Sequence, residues 1–83
     1  MKVSVKLYAL LSDYLPAGAV DNQVEIDLAD GTTPEDVFAK FNLPRQYCSI
    51  VLVNGVYVEP SERSSHALSE NDTLAIWPPV AGG

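Results

Sequence analysis

The chain opens and closes on strands that need the same cover. Val3, Val5 and Leu7 alternate with Lys2, Ser4 and Lys6, and Leu74 and Ile76 repeat the inward pattern near the other end. A period of two places every second side chain on one face, so each segment reads as a half-buried strand. A third segment, Gln23 to Leu28, turns Val24, Ile26 and Leu28 one way and Glu25 and Asp27 the other. Each strand has one apolar face to hide, and one stretch of the chain is best patterned to hide them.

That stretch begins at Thr33-Pro34-Glu35-Asp36. Proline suits the first helical position and holds the preceding Thr33 extended, so its hydroxyl can accept from a free amide of the first turn. The acids there complement the helix dipole. Val37, Phe38 and Phe41 form one apolar stripe, and Pro44 lies beyond the helix end. A shorter helix is expected over Ala9 to Leu15, with Leu10, Leu11 and Leu15 on one side and Pro16-Ala17-Gly18 as its stop. Ser49 to Val53 and Val56 to Glu59 flank Asn54-Gly55, a pair that tolerates the positive φ angles of a type I′ hairpin turn. Pro60 to Leu68 is a polar connection, and Glu70-Asn71-Asp72 turns into a last strand, Thr73 to Trp77. Pro78-Pro79 ends that strand, because proline cannot feed a ladder.

The order strand, short helix, strand, helix, strand, strand, strand implies an α+β domain with one main helix packed across a mixed sheet of about five strands. A ubiquitin-like β-grasp is the economical arrangement, with the first and last strands parallel in the middle of the sheet. The domain is expected over residues 1–77, followed by a flexible extended tail over residues 78–83.

Composition narrows the function. The 83 residues leave no room for a two-domain enzyme. One cysteine, Cys48, permits neither an internal disulfide nor a cysteine-based metal cage. The longest apolar run, Leu7 to Leu11, is far short of the roughly 20 residues that span a bilayer. A cytoplasmic protein is expected. A net charge of −6 argues against nucleic acid and anionic membrane as partners and suits a basic protein surface.

The segment Pro78-Pro79-Val80-Ala81-Gly82-Gly83 contains no ionisable side chain, so its reactive group is the carboxylate of Gly83. Two prolines favour an extended segment, and two glycines let a narrow channel close around the backbone. A carboxylate is a poor electrophile and needs activation, for example as an acyl-adenylate.

Trp77-Pro78-Pro79-Val80-Ala81-Gly82-Gly83 resembles the ending of the MoaD/ThiS family of ubiquitin-like sulfur carriers. The first strand running into Leu7-Tyr8-Ala9, the strand and turn at Val53-Asn54-Gly55, and the acidic turn before the last strand extend the likeness over the whole chain. The long segment Ala9 to Val20 is more similar to MoaD than to ThiS, while Trp77 stands where such carriers usually have Phe. The resemblance implies a carrier rather than an enzyme, binding no cofactor of its own. A ubiquitin-activating-type adenylating enzyme would use ATP to adenylate Gly83, and a sulfur donor would convert it to a thiocarboxylate. In molybdopterin synthase the tail, Pro78 to Gly83 here, would insert into a large subunit, in a heterotetramer, and deliver sulfur for the molybdenum cofactor. Other readings stay open: a carrier for thiamine thiazole, a tungsten cofactor or another sulfur metabolite; a ubiquitin-like modifier joined to lysines; or an interaction domain with an inert tail.

Side-chain parity marks a docking patch. Tyr8, if still extended, and Trp77 face away from the core. A two-residue turn pairs Val53 with Val56, Leu52 with Tyr57 and Val51 with Val58. With the valines turned to the helix, Tyr8, Leu52, Tyr57 and Trp77 share the uncovered face, where an apolar cluster marks a protein interface. The remaining candidates have plainer readings. Cys48 reads as a small buried hydrophobe and His66 as a loop residue. Asp36 and Lys40 read as a solvated ion pair, and Glu59, Glu62, Glu70 and Asp72 as solvated loop charges.

Overall fold

The computed structural model describes residues 1–79. Its strands are β1 (Lys2–Leu7), β2 (Gln23–Asp27), β3 (Ile50–Val53), β4 (Val56–Tyr57) and β5 (Thr73–Trp77), with one α-helix, α1 (Pro34–Lys40), between β2 and β3. Short 3₁₀ turns cover Ala9–Tyr14, Arg45–Tyr47 and Pro60–Glu62. The sheet order is β2-β1-β5-β3-β4. β1 and β5 run parallel at its centre, with Val5 beside Leu74 and Leu7 beside Ile76, and the other pairs are antiparallel. This is the β-grasp arrangement expected from the strand pattern.

The inward side chains form one core. Val3, Val5, Leu7, Leu74, Ile76 and Val51 are fully buried, and Val37 and Phe38 of α1 close over them. Val24 and Ile26 are only half-buried because β2 is an outermost strand with a neighbour on one side. Position in the sheet also explains Val56. It pairs with buried Val53 but is 69% exposed, because β4 is two residues long and forms the opposite edge.

The caps of α1 follow from local chemistry. The Thr33 hydroxyl accepts from the Asp36 amide at 3.3 Å, and the Asp36 carboxylate accepts from the Thr33 amide at 3.0 Å. This reciprocal box corrects the expected pairing of Asp36 with Lys40, since a carboxylate at the third position reaches back to the cap more readily than forward a full turn. At the other end Asn42 adopts φ +58°. Its amide donates to Ala39 at 3.2 Å and that of Leu43 to Phe38 at 2.9 Å, a Schellman stop.

The Ala9–Tyr14 segment departs from expectation. Leu11 is buried and Leu15 half-buried, but Leu10 is 48% exposed. A 3₁₀ turn rotates successive residues by about 120°, so neighbouring leucines cannot both face the core.

Two acids expected to be solvated accept backbone hydrogen bonds, Asp72 as a buried group and Glu70 while still exposed. Asp72 is buried and accepts from the Ser69 amide at 2.7 Å and the Asn54 side chain at 2.8 Å. Asn54 in turn accepts from the Thr73 amide at 2.9 Å, which ties the hairpin turn to the start of β5. Glu70 accepts from the Lys2 amide at 3.0 Å. Hydrogen-bond demand at strand starts places these carboxylates.

Cys48 is 3% exposed, and burial pushes its thiol up to about 11 despite the nearby Arg63 and Arg45. The folded chain therefore holds it protonated and unreactive at neutral pH.

Two outcomes are expected. Leu74→Ala should cost about 2–5 kcal/mol in chemical denaturation, as expected for a cavity in the central strand pair. In the second, the unfolded thiol ionises from about 9.0 and the folded one only near 11, so stability holds below that window and falls as pH rises through it. Denaturation midpoints across the window should fall less steeply for Cys48→Ala than for the parent chain.

Candidate functional site

The uncovered face of the sheet carries the candidate site. Tyr8 follows β1 in an extended conformation, φ −111° and ψ 158°. Its amide donates to the Ile76 carbonyl at 3.2 Å, which keeps it in register beside β5. Its ring stacks on Trp77 with centroids 4.2 Å apart and planes 1° from parallel. Stacking so close requires the chain to turn away at once. Ala9 does this at φ +53°, a left-handed conformation costing a residue with a β-carbon about 1 kcal/mol.

The ladder extends the platform. Ile50 of β3 lies opposite Trp77, and Leu52 lies opposite both Ala75 and Tyr57. Tyr8, Trp77 and Leu52 are half-buried, while Ile50 is 39% and Tyr57 46% exposed. The structure thus brings Tyr8, Leu52, Tyr57 and Trp77 to one face. Ile50 was missed, although its parity with Leu52 was readable. Lys6 shares this face beside Ala75, and Lys2 lies 3.9 Å from Glu25 farther along it.

Behind the platform lies Arg63, a residue that no motif or spacing singles out. It is 5% exposed. Its guanidinium donates to the carbonyls of Val58 (3.0 Å), Cys48 (2.8 Å) and Ser49 (3.0 Å) and to the Tyr57 hydroxyl (3.2 Å), and it lies 5.6 Å from the Tyr57 ring centre. A lone arginine in a polar loop reads as solvated, and only the folded hairpin supplies these converging acceptors.

Trp77 is the last residue of β5, and its carbonyl accepts from the Ser49 amide at 3.1 Å. Pro78 is buried, so packing continues one residue past the strand, and Pro79 is exposed. The rest of the candidate tail, Val80, Ala81, Gly82 and Gly83, lies outside the described residues. Among the described residues no cluster of three or more His, Cys, Asp or Glu could hold a metal ion, and no helix is long and apolar enough to cross a membrane. The face offers a flat aromatic and aliphatic platform, suited to an apolar protein surface.

A mixed sheet with parallel terminal strands at its centre, one helix across one face and a platform where the chain leaves β5 defines a ubiquitin-like fold. The ThiS family model matches residues 5–83, and the chain belongs to that family of MoaD/ThiS-type sulfur carriers. Solved structures agree with this. The chain is 25% identical to SAMP1 from Haloferax volcanii, with a TM-score of 0.68 and 100% of each chain covered. It is 26% identical to a putative molybdopterin converting factor, subunit 1, from Pyrococcus furiosus, with a TM-score of 0.66, 95% of this chain and 98% of that one covered. In a complex of subunits 1 and 2 of the molybdopterin-converting factor from Helicobacter pylori, a chain 16% identical shares the fold, with a TM-score of 0.62 and 100% of each chain covered. No curated protein gives a significant match.

Trp77→Ala removes the stacked pair from a half-buried face. It should cost about 1–2 kcal/mol in monomer stability, less than Leu74→Ala. It should weaken a partner docked on this face by about 2 kcal/mol or more, measured by titration calorimetry. Equal loss of folding for the two variants would show that Trp77 serves the core instead.

Proposed function

We propose that this chain carries sulfur as a thiocarboxylate on Gly83 and is the small subunit of a molybdopterin synthase. In this reading a ubiquitin-activating-type enzyme docks on the Tyr8, Ile50, Leu52, Tyr57 and Trp77 platform. It joins AMP from ATP to the Gly83 carboxylate, releasing pyrophosphate. A sulfur donor then displaces AMP. The loaded chain moves to a large subunit, in a heterotetramer, whose active site receives Pro78 to Gly83 and takes the sulfur for the molybdenum cofactor. The chain contributes the acyl group and the docking face, and the catalytic side chains and the ATP site belong to its partners.

The observation that carries this reading is that the family match runs through residue 83 and so includes the Gly82-Gly83 ending. Two further observations support it. One is the likeness to the Pyrococcus subunit 1, and the other is the aromatic stack immediately before Pro78. The full-length likeness to SAMP1 favours a second reading, a ubiquitin-like modifier whose Gly83 is joined to lysines of other proteins. Both readings begin with the same activated carboxylate.

Intact mass of the protein purified from its native cells separates them. A fraction with one oxygen exchanged for sulfur is expected, and it should vanish on deletion of Gly83 while the thermal melt stays unchanged. Attachment to larger proteins in place of the sulfur form would establish the modifier. A carboxylate unmodified under every growth condition would overturn both readings.

A further inference from the structure

One amide links the buried guanidinium to the point where the chain leaves the sheet. The carbonyl of Cys48 accepts from Arg63 Nη1 at 2.8 Å, and the N–H of the same peptide unit, that of Ser49, donates to the Trp77 carbonyl at 3.1 Å. A hydrogen bond to a cation polarises the amide it engages and strengthens the donor at its other end. The Trp77 carbonyl belongs to the Trp77–Pro78 peptide, which has no N–H because its nitrogen is proline's. This bond is therefore the hydrogen bond that the ladder makes to that peptide. Arg63 Nη2 also holds the Ser49 carbonyl at 3.0 Å and the Tyr57 hydroxyl at 3.2 Å. The Arg63 carbonyl in turn accepts from the Glu35 amide at 3.1 Å, which anchors the residue to the first turn of α1. One side chain thus bears on the exit peptide and on a ring of the docking face.

The charge is costly to bury, and the way it is held is informative. Arg63 faces three carbonyls and a hydroxyl rather than a carboxylate, although the chain has 11 acids. A salt bridge would neutralise the cation, whereas carbonyl acceptors leave its field on the amides it touches. The planar fork also fixes the relative positions of four acceptors, which a lysine's point charge cannot do.

We propose that Arg63 is a positioning residue for tail delivery: it presets the direction of the Trp77–Pro78 peptide and the attitude of Tyr57, so that docking and tail entry occur together. This rests on the carrier reading above. Preorganisation of this kind acts on association of the two proteins rather than on the chemistry at the terminal carboxylate.

The test uses the full chain with the adenylating enzyme from the same organism, read by Gly83-dependent ATP–pyrophosphate exchange. Arg63→Lys keeps the charge and loses the fork. Assayed at a temperature where circular dichroism shows it fully folded, it should raise KM for the carrier about tenfold with kcat nearly unchanged, the loss expected for a charged hydrogen bond. Hydrogen exchange at the Ser49 amide should accelerate in parallel. Tyr57→Phe, which removes only the hydroxyl arm, should raise KM by a smaller factor and leave Ser49 protection intact. In the parent chain, nitrogen NMR should resolve separate, slowly rotating Nη groups for Arg63, a readout that does not require the lysine variant to fold. A folded Arg63→Lys with parental KM and parental Ser49 protection would overturn the proposal, as would a freely rotating guanidinium. Absence of any Gly83-dependent exchange by the parent chain would instead overturn the carrier reading.

Discussion

The structure depends on the parallel pairing of β1 with β5, which joins the beginning of the chain to its end. Residues about 70 positions apart sit side by side, as with Val5 and Leu74. Parallel neighbours need a crossover, and here the crossover is everything between them: the edge strand β2, the covering helix α1 and the β3–β4 hairpin. Each intervening element therefore has a place set by the central pair. α1 must lie across the face where Val3, Val5, Leu7, Leu74 and Ile76 point, and β3 must add to the free side of β5. The same register carries Tyr8 beyond the end of β1 and brings it against Trp77. The aromatic platform is a consequence of the central pairing, since no local signal joins two residues so far apart in the chain.

Polar groups then lock what the apolar pattern permits. Asp72 and Asn54 bind the hairpin turn to the start of β5, and Arg63 holds the hairpin's open end by joining Cys48 and Ser49 before β3 to Tyr57 and Val58 at the end of β4. The two ends of β3 are thus held by different chemistries. At the turn, a side-chain amide and a carboxylate exchange hydrogen bonds with backbone. At the far end, a guanidinium collects carbonyls. Asp72 and Arg63 are buried, and a buried polar group that loses its partners costs far more than the net value of its bonds. Register in a strand as short as β3 is weakly specified by four residues alone, so locks at both ends have a physical purpose.

What was legible in the sequence was what repeats or is local. Alternation gave β1, β2 and β5, and the Asn54-Gly55 pair gave the hairpin and its register. Thr33-Pro34 gave the start of α1. Parity alone set Tyr8, Leu52, Tyr57 and Trp77 on one face, because a ladder leaves no other choice once the core face is known. What was not legible depended on partners distant in the chain. Asp72 and Glu70 read as loop charges because their acceptor role needs Asn54 and Lys2 brought near. Asp36 was misread for a different reason: two local partners competed for it, and the nearer backbone amide won. Arg63 lay in a polar loop, with its acceptors spread over two other segments, Cys48–Ser49 and Tyr57–Val58. The Ala9–Tyr14 segment failed on period, since six residues cannot distinguish a turn of 3.6 from one of about three.

The two faces of the sheet follow nearly independent rules. Substitutions on the inner face act on core packing, whereas those on the outer face leave that core largely in place. Parity keeps the two sets apart along every strand. Arg63 is where they meet, because its carbonyl serves the covering helix while its guanidinium reaches Tyr57 and, through one amide, Trp77. A covering helix and an aromatic platform on opposite sides of a sheet share few residues, and the buried Arg63 at the sheet's end is one that touches both.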